Sequence, residues 1–246
     1  MGLEGVPEVE QGAPLARLLL DAVARAELAL ETGDVLVVAQ KIVSKAEGRS
    51  VSLSTVTPST QALELAAATH KDPRLVELML RESCQVLRAK PNVLIVEHRL
   101  GFVMASAGID QSNVPGAEDR ALLLPQDPDA SAQRLRSDLR GLAGVECSVV
   151  INDSFGRAWR NGVTGIAIGV AGIPALVDMR GQPDREGRAL QVTQIAVADE
   201  IASAASLVMG QGSEGVPAVL VRGFPYAHRE GSVQELIRPR GEDLFR

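Results

Sequence analysis

The sequence predicts a mixed α+β fold, in which sheets containing hairpins are flanked by helices. Helical and strand-like patterns alternate along the chain, and a short turn near Leu100-Gly101 separates two apolar runs. This turn indicates a hairpin and argues against a purely parallel, doubly wound sheet. Because no long stretch rich in proline, glycine and serine divides the chain, we expect residues 1–246 to form a single unit.

The first half of the chain carries signals for three helices and three strands. Apolar residues three and four apart predict a helix over residues 14–28, and an uninterrupted apolar run predicts a strand over residues 35–39. Helix-start residues open the next two helices, with Pro58-Ser59 before one and Asp72-Pro73 before another that extends to residue 89. The hairpin strands are predicted at residues 93–97 and 102–105.

The second half contains two helices and at least two strands. Asp127-Pro128 open a predicted helix that ends near Gly144, and residues 147–151 predict a strand that stops at Asn152-Asp153-Ser154. Residues 162–179 are apolar and rich in glycine, a composition that permits close packing. A strong helical pattern ends at Gly210, and a late strand is predicted within residues 215–224.

Composition and charge exclude several classes of protein. The net charge of −6 argues against general nucleic-acid binding, which requires a surplus of lysine and arginine. No apolar stretch is long enough to predict a membrane span, and no signal peptide is evident. Cys84 and Cys147 stand apart from each other and from any cysteine–histidine cluster, so we expect no structural zinc and a reducing, cytoplasmic location.

Three polar loops follow apolar segments and supply hard oxygen atoms. They cover residues 106–113, 152–154 and 209–215, and the first two contain Asp110 and Asp153. Carboxylate and hydroxyl oxygens suit Mg²⁺ or Mn²⁺, which are commonly held by one or two carboxylates together with phosphate oxygens. The alternative interpretation is that both aspartates only cap turns or helices.

Two pairs of basic residues are candidates for binding an anion. Lys41 and Lys45 are four residues apart, and Arg157 and Arg160 are three apart, so on helical turns each pair would point in one direction. Guanidinium groups match phosphate and carboxylate oxygens, but either pair could equally belong to a solvated charged face. We interpret the single tryptophan, Trp159, as a half-buried packing residue rather than a stacking platform.

Several familiar catalytic motifs are absent from the sequence. It contains no GxxxxGK[ST] phosphate loop, no GxSxG nucleophile elbow and no HExxH zinc motif, and its glycine-rich segment does not match GxGxxG. The residues alone therefore predict a cytoplasmic enzyme that binds a divalent metal ion and a phosphate.

Four ordered blocks together resemble the coenzyme F420-0:L-glutamate ligase (gamma-glutamyl ligase) family. The blocks are GDVLVVAQKIVSKAEGR, SAGIDQSNV with LLLPQDPDASAQRLR, INDSFGRAWRNGVTGIAIGVAGI, and VADEIASAASLVMGQGSEGVPAVLVRG. The resemblance implies that L-glutamate is joined to coenzyme F420-0, and further glutamates by γ-linkage, at the expense of GTP through an acyl phosphate. It also implies Mg²⁺ or Mn²⁺ at two sites, K⁺, and an intertwined homodimer.

The resemblance also assigns roles to individual residues. It places Asp110 and Asp153 at the first divalent ion, and Ser154 and Gln211 at the second. The residues expected to contact GTP are Val6, Pro7, Glu8, Val9, Ser44, Lys45 and Asn113.

Two of these positions depart from the family pattern. Ser154 replaces a common Thr and keeps the hydroxyl group, whereas Gln211 replaces a common Glu and loses a charge, which predicts a weaker second metal site. Arg157 and Arg160 are our own candidates for contacting an anionic substrate or phosphate. Two other functions stay open: an amide ligase with another acidic acceptor, and a nucleotide-binding module without catalysis.

Overall fold

The computed structural model describes residues 1–112 and 118–243. Most of the predicted elements are present, and the polar segment after residue 39, for which no element was predicted, forms a short helix. The α-helices within the described ranges are α1 (Leu15–Arg25), α2 (Gln40–Ala46), α3 (Thr60–Thr69), α4 (Pro73–Arg81), α5 (Pro128–Ala143) and α6 (Val197–Met209).

The strands of the same ranges form four sheets. Their bounds are β1 (Gly2–Leu3), β2 (Val35–Ala39), β3 (Ser50–Ser52), β4 (Ser83–Lys90), β5 (Val93–His98), β6 (Val103–Ala105), β7 (Arg120–Leu122), β8 (Ser148–Arg157), β9 (Arg160–Ala171), β10 (Val177–Asp178), β11 (Gln194–Ile195) and β12 (Ala218–Val221). The mixture of helices with several mostly antiparallel sheets confirms the predicted α+β class.

The largest sheet has five strands in the order β1-β12-β2-β8-β9. Strands β2 and β8 run parallel, and the other neighbouring pairs are antiparallel. Residues 35–38 of β2 are almost completely buried, because helices cover both faces of this sheet. Its apolar run is therefore continuous rather than alternating, as expected for a strand with two buried faces.

The two faces of the large sheet carry separate apolar cores. On one face, Ile151 and Ile168 of the sheet belong to the same core as Leu19 of α1 and Leu139 of α5. The core of the other face lies between α6 and the sheet. A smaller core joins α3 and α4 to the three-stranded sheet β4-β5-β6, which contains the predicted hairpin.

Strand β8 does not end at Asn152, contrary to the sequence prediction. It continues to Arg157 and pairs with β9 in a long hairpin, in which Asp153 lies opposite Ile166 and Ser154 opposite Gly165. The polar residues extend the strand because β9 supplies hydrogen-bonding partners. Trp159 lies in the turn of this hairpin with 87% of its surface exposed, so its predicted half-buried packing is wrong.

The predicted helix over residues 72–89 was too long. Helix α4 ends at Arg81, and residues from Ser83 onward form β4. Pairing with β5, including Val86 opposite Val96, outweighs the helical tendency of this segment.

The edge of β9 is covered by carboxylates from three other segments. Asp199 of α6 accepts a hydrogen bond from the backbone N–H of residue 167 at 2.9 Å, and Asp129 of α5 accepts one from residue 170 at 2.8 Å. Glu230 of the C-terminal segment accepts one from residue 172 at 3.3 Å. These side chains replace the strand neighbour that an edge strand lacks.

Among the described residues, we find no helix long and apolar enough to cross a membrane.

Candidate active site

The candidate active site lies where the parallel strands β2 and β8 deliver polar residues at the same end of the sheet. Ala39, the last residue of β2, is paired with Asn152 in β8. Helix α2 begins immediately after Ala39, and Asp153 immediately follows Asn152. This register brings Lys41 of α2 and the carboxylate of Asp153 to one region.

Asp110 reaches the same region from a separate segment. It follows β6 and a tight turn in which Ser106 and Ala107 have φ values of 54° and 53°, a conformation that non-glycine residues rarely adopt. Two backbone hydrogen bonds with Leu122, at 3.0 and 2.8 Å, then fix its main chain. Such strained backbone conformations persist only where surrounding contacts hold them in place. The turn and the hydrogen bonds with Leu122 together position Asp110.

Lys41 and Ser112 hold the Asp110 carboxylate. The Lys41 Nζ lies 2.7 Å from Asp110 Oδ2, and it donates to Ser112 Oγ at 2.8 Å. The backbone N–H of Ser112 donates to Asp110 Oδ1 at 2.6 Å. Burial raises the pKa of Asp110, but these hydrogen bonds outweigh it and leave the pKa below its usual value. Asp110 is therefore ionised at neutral pH.

Asp153 is the least compensated carboxylate of the site. Burial, with a smaller contribution from the charge of Asp110, raises its pKa to about 7, although a backbone hydrogen bond from Ser154 and the charge of Lys41 oppose the shift. The Ser154 N–H donates to Asp153 Oδ1 at 2.8 Å. Asp110 and Asp153 are thus neighbouring carboxylates. The ammonium group of Lys41 forms an ion pair with Asp110 and only partly offsets the raised pKa of Asp153.

A divalent cation fits this donor set. Asp110 and Asp153 offer hard carboxylate oxygens, and the raised pKa of Asp153 reflects a negative charge that a cation would stabilise. Within residues 1–112 and 118–243 no group of three or more His, Cys, Asp or Glu side chains could hold a metal ion. Any ion here would therefore need substrate or water oxygens as well, as Mg²⁺ commonly does.

The structure divides the four predicted metal ligands into two pairs. Side chains alternate along a strand, so Ser154 points away from the face that carries Asp153. The Ser154 hydroxyl donates to Gln211 Oε1 at 2.8 Å, just beyond the C-terminus of α6. The predicted second pair is therefore in contact, but on the α6 side of β8. Whether either pair binds metal stays a prediction.

A cleft of about 380 Å³ opens beside the Asp110 region. It shares Leu122 with that region, because Leu122 both lines the cleft and bridges Asp110. Lys45 Nζ lies 2.5 Å from Glu8 Oε1 at this cleft. The lining residues are Glu8, Val9, Glu10, Gln11, Lys45, Gly48, Ser50, Arg120 and Leu122.

Only some of the predicted nucleotide contacts line this cleft. Glu8, Val9 and Lys45 do, whereas Val6 packs against the core, and Pro7 is exposed but is not among the lining residues. The Ser44 side chain is fully buried, and its hydroxyl donates to Gln40 Oε1 at 2.9 Å, so it does not face the cleft. Asn113 lies outside the described residues.

Arg157 and Arg160 lie away from the carboxylates. They are cross-strand partners beside the hairpin turn rather than neighbours on a helical turn, and both are exposed. Arg157 follows Asp153 by four strand residues, a separation of roughly 13 Å. The structure does not bring either arginine to Asp110 and Asp153, and their contact with an anionic substrate stays a prediction.

The sequence indicated Lys41 only as one of two lysines that could bind an anion, and not as the partner of Asp110. Its spacing from Lys45 indicated a shared helix face, which α2 confirms. Gln40 was not among the predicted site residues, and Asn152 was named only as part of the polar segment 152–154; both are buried at the ends of the parallel strands. Gln40 Nε2 and Asn152 Oδ1 have no hydrogen-bonding partner among the described residues. Their position directly after an apolar run was the sequence signal for them.

Comparison with known proteins reveals extensive similarity. The family model described as F420-0:Gamma-glutamyl ligase matches residues 5–223. The chain is 47% identical over 248 residues to coenzyme F420:L-glutamate ligase of Methanothermobacter thermautotrophicus, covering 100% of this chain and 98% of that protein. It is 47% identical over 251 residues to the protein of the same name from Methanopyrus kandleri, covering 99% and 97% respectively. For the Methanocaldococcus jannaschii protein of that name the identity is 42% over 222 residues, covering 90% and 88%.

Proposed function

Because the chain belongs to the F420-0:gamma-glutamyl ligase family, we propose that it is a GTP-dependent ligase that joins L-glutamate to coenzyme F420-0. Further glutamates are added by γ-linkage in the same way. The names of the relatives support the glutamate and F420 substrates. The geometry around Asp110 and Asp153 supports the phosphoryl-transfer part of the proposal.

The proposed reaction proceeds in two balanced steps. A carboxylate oxygen of F420-0 attacks the γ-phosphorus of GTP, the bond from that phosphorus to the bridging oxygen breaks, and an acyl phosphate and GDP result. The amine of glutamate then attacks the acyl carbon, inorganic phosphate leaves, and the amine proton is lost. The product is an amide, so no serine or cysteine nucleophile is required.

The main electrostatic obstacle is the approach of an anionic carboxylate to an anionic phosphate. Lys41 and Lys45 lie one turn apart on α2 and provide positive charge at the site and at the cleft. Asp110 and Asp153 would hold Mg²⁺ or Mn²⁺. When bound, the ion would neutralise charge on the transferring phosphoryl group. Positioning and charge stabilisation account for most catalysis of this kind.

The cleft beside Lys45 is the proposed GTP site. Its volume of about 380 Å³ falls within the range of small-molecule pockets, roughly 300–1,000 Å³. Lys45 would contact the phosphates, and Glu8 and Val9 would line the guanine or ribose side. Because the cleft adjoins Asp110 through Leu122, the γ-phosphate of GTP bound there would lie next to the carboxylates of Asp110 and Asp153.

The family resemblance supports three further parts of the proposal. Ser154 and Gln211 would form a second, weaker cation site, K⁺ would assist, and the active protein would be a homodimer. Arg157 and Arg160, exposed at the hairpin turn, would contact an anionic substrate.

The observation that carries the proposal is the convergence of Asp110 and Asp153 from separate segments beside Lys41 and the cleft. The test combines the protein with F420-0, L-glutamate, GTP and Mn²⁺, and mass spectrometry measures the product. We expect a product heavier by one glutamate residue, with GDP formed in equal amount, and none when GTP is omitted.

The other outcomes identify the alternatives. Absence of product with intact GTP would refute the proposed reaction, and binding of GTP in that case would indicate a non-catalytic nucleotide-binding module. GTP hydrolysis without glutamylation would indicate a ligase with another acidic acceptor. Asp153→Asn should abolish product formation, whereas Asp21→Asn, an equal change of charge at an exposed position, should not.

A further inference from the structure

We propose that Lys41 is a built-in counter-ion that occupies the cation position at Asp110 and must be displaced when a divalent metal ion binds. The inference rests on the proposed function, because it concerns the same metal and nucleotide site. It assigns Lys41 a positioning role: the ammonium group controls the charge and arrangement of the carboxylates before the substrates arrive.

The contacts of Lys41 form a closed arrangement. Its ammonium group contacts Asp110 Oδ2 and Ser112 Oγ, while the Ser112 N–H binds the other oxygen of the same carboxylate. The side chains of Lys41 and Asp110 are only 29% and 30% exposed. Both carboxylate oxygens are therefore engaged, and a metal ion that approaches Oδ2 from the side of Lys41 competes with the ammonium group.

Lys45 provides a contrasting ion pair on the same helix. Its partner Glu8 is 61% exposed, so Glu8 can rotate into solvent at little cost. Asp110 is less exposed, and its charge acts on the neighbouring Asp153. Removal of the Lys41 charge would leave Asp110 and Asp153 as two neighbouring carboxylates without their nearby ammonium group. This repulsion would favour the binding of a metal cation in its place.

Displacement of Lys41 would couple metal binding to nucleotide binding. A released ammonium group needs a new anionic partner, and one turn further along α2 Lys45 already marks the proposed phosphate region. A phosphate that accepts Lys41 frees Asp110 for the metal ion. By thermodynamic linkage the metal ion would favour phosphate binding to the same extent.

The test measures Mn²⁺ binding without nucleotide, using the electron paramagnetic resonance signal of free Mn²⁺. We expect Lys41→Met to bind Mn²⁺ roughly two- to fivefold more tightly than the unmodified protein, up to the factor that corresponds to a partly exposed ion pair. Lys45→Met is the matched control, since it removes the same charge from the same helix face without touching Asp110, and should change the affinity less than twofold.

Two further variants make the result decisive. Lys41→Gln removes the charge but keeps a neutral donor near Asp110 and Ser112, and it should also bind Mn²⁺ more tightly than the unmodified protein. It takes the place of Lys41→Met in the test if Lys41→Met does not fold. Asp110→Asn should abolish this binding in both backgrounds. Unchanged or weaker binding in a folded Lys41 variant would overturn the proposal and leave the proposed function intact. Absence of Asp110-dependent binding in every protein would overturn both the metal site and the counter-ion role.

Discussion

Replacing Asp153 by Asn should stabilise the metal-free protein at pH 8 while abolishing catalysis. Burial and the neighbouring charge of Asp110 raise the pKa of Asp153 from 3.8 to about 7. A carboxyl group with a raised pKa binds its proton more readily in the folded state. Ionisation of Asp153 therefore does not lower the free energy of unfolding below pH 3.8. The loss of stability grows as the pH rises toward 7 and is constant above pH 7.

The magnitude follows from the size of the shift. About three pKa units correspond to an upper limit of roughly 4 kcal/mol, at 1.36 kcal/mol per unit. The side chain is half-buried, and solvent screening reduces this figure, so we expect about 1–2 kcal/mol. For a chain of this length that gain raises Tm by roughly 2–8 °C.

The assay is thermal and urea unfolding at pH 5, 6, 7 and 8 in the presence of EDTA. The stability advantage of Asp153→Asn over the unmodified protein should increase with pH up to about 7 and then level off. Asp21→Asn, which changes the net charge equally at the surface, should show no such trend. Equal stability of the Asp153 variant and the unmodified protein at every pH, or a less stable variant at pH 8, would refute the reasoning.

Three further predictions concern other parts of the site. Asp110→Asn should lower kcat at least about 100-fold with unchanged circular dichroism, because phosphoryl transfer would lose a metal ligand; near-normal turnover would remove Asp110 from the metal site. Lys45→Met should raise KM for GTP about tenfold or more, with a smaller effect on KM for glutamate; equal effects on both would place Lys45 outside the nucleotide site. Gln211→Glu adds a carboxylate beside Ser154 and should therefore tighten Mn²⁺ binding at this position. The affinity is measured in an Asp110→Asn background, and an unchanged affinity would argue against a cation beside Ser154.

Local signals were sufficient for much of the fold. Strand β2 matches its predicted bounds, and α6 ends before Gly210 as predicted. Asp127 caps α5 through a hydrogen bond from the Ala130 N–H at 3.0 Å, as its sequence position indicated. In each case the residues that determine the element lie within or next to it.

The errors occur where distant segments determine the structure. The polar residues after Ile151 continue β8 because β9 pairs with them, and that pairing cannot be read from residues 147–157 alone. Arg157 and Arg160 are three residues apart, which suggested one face of a helix, but a hairpin turn makes them cross-strand partners. Trp159 occupies that turn with φ of 64° and is therefore exposed.

The candidate site was predictable as a set of residue types but not as an arrangement. Loop chemistry and the family resemblance identified Asp110 and Asp153. Their neighbourhood depends on the parallel register of β2 with β8 and on the turn before Asp110, neither of which has a local signature. The contacts of Lys41 depend on the same tertiary placement, which explains why its pairing with Asp110 was not predicted.

The carboxylates along β9 restrict how this protein can associate with other chains. Asp199, Asp129 and Glu230 occupy backbone donors that an incoming strand would need, and they belong to two helices and the C-terminal segment. Protection against sheet-to-sheet aggregation is thus acquired only once these three segments have docked. A nascent or partly unfolded chain, in which these segments have not yet docked, would expose this apolar edge to other chains.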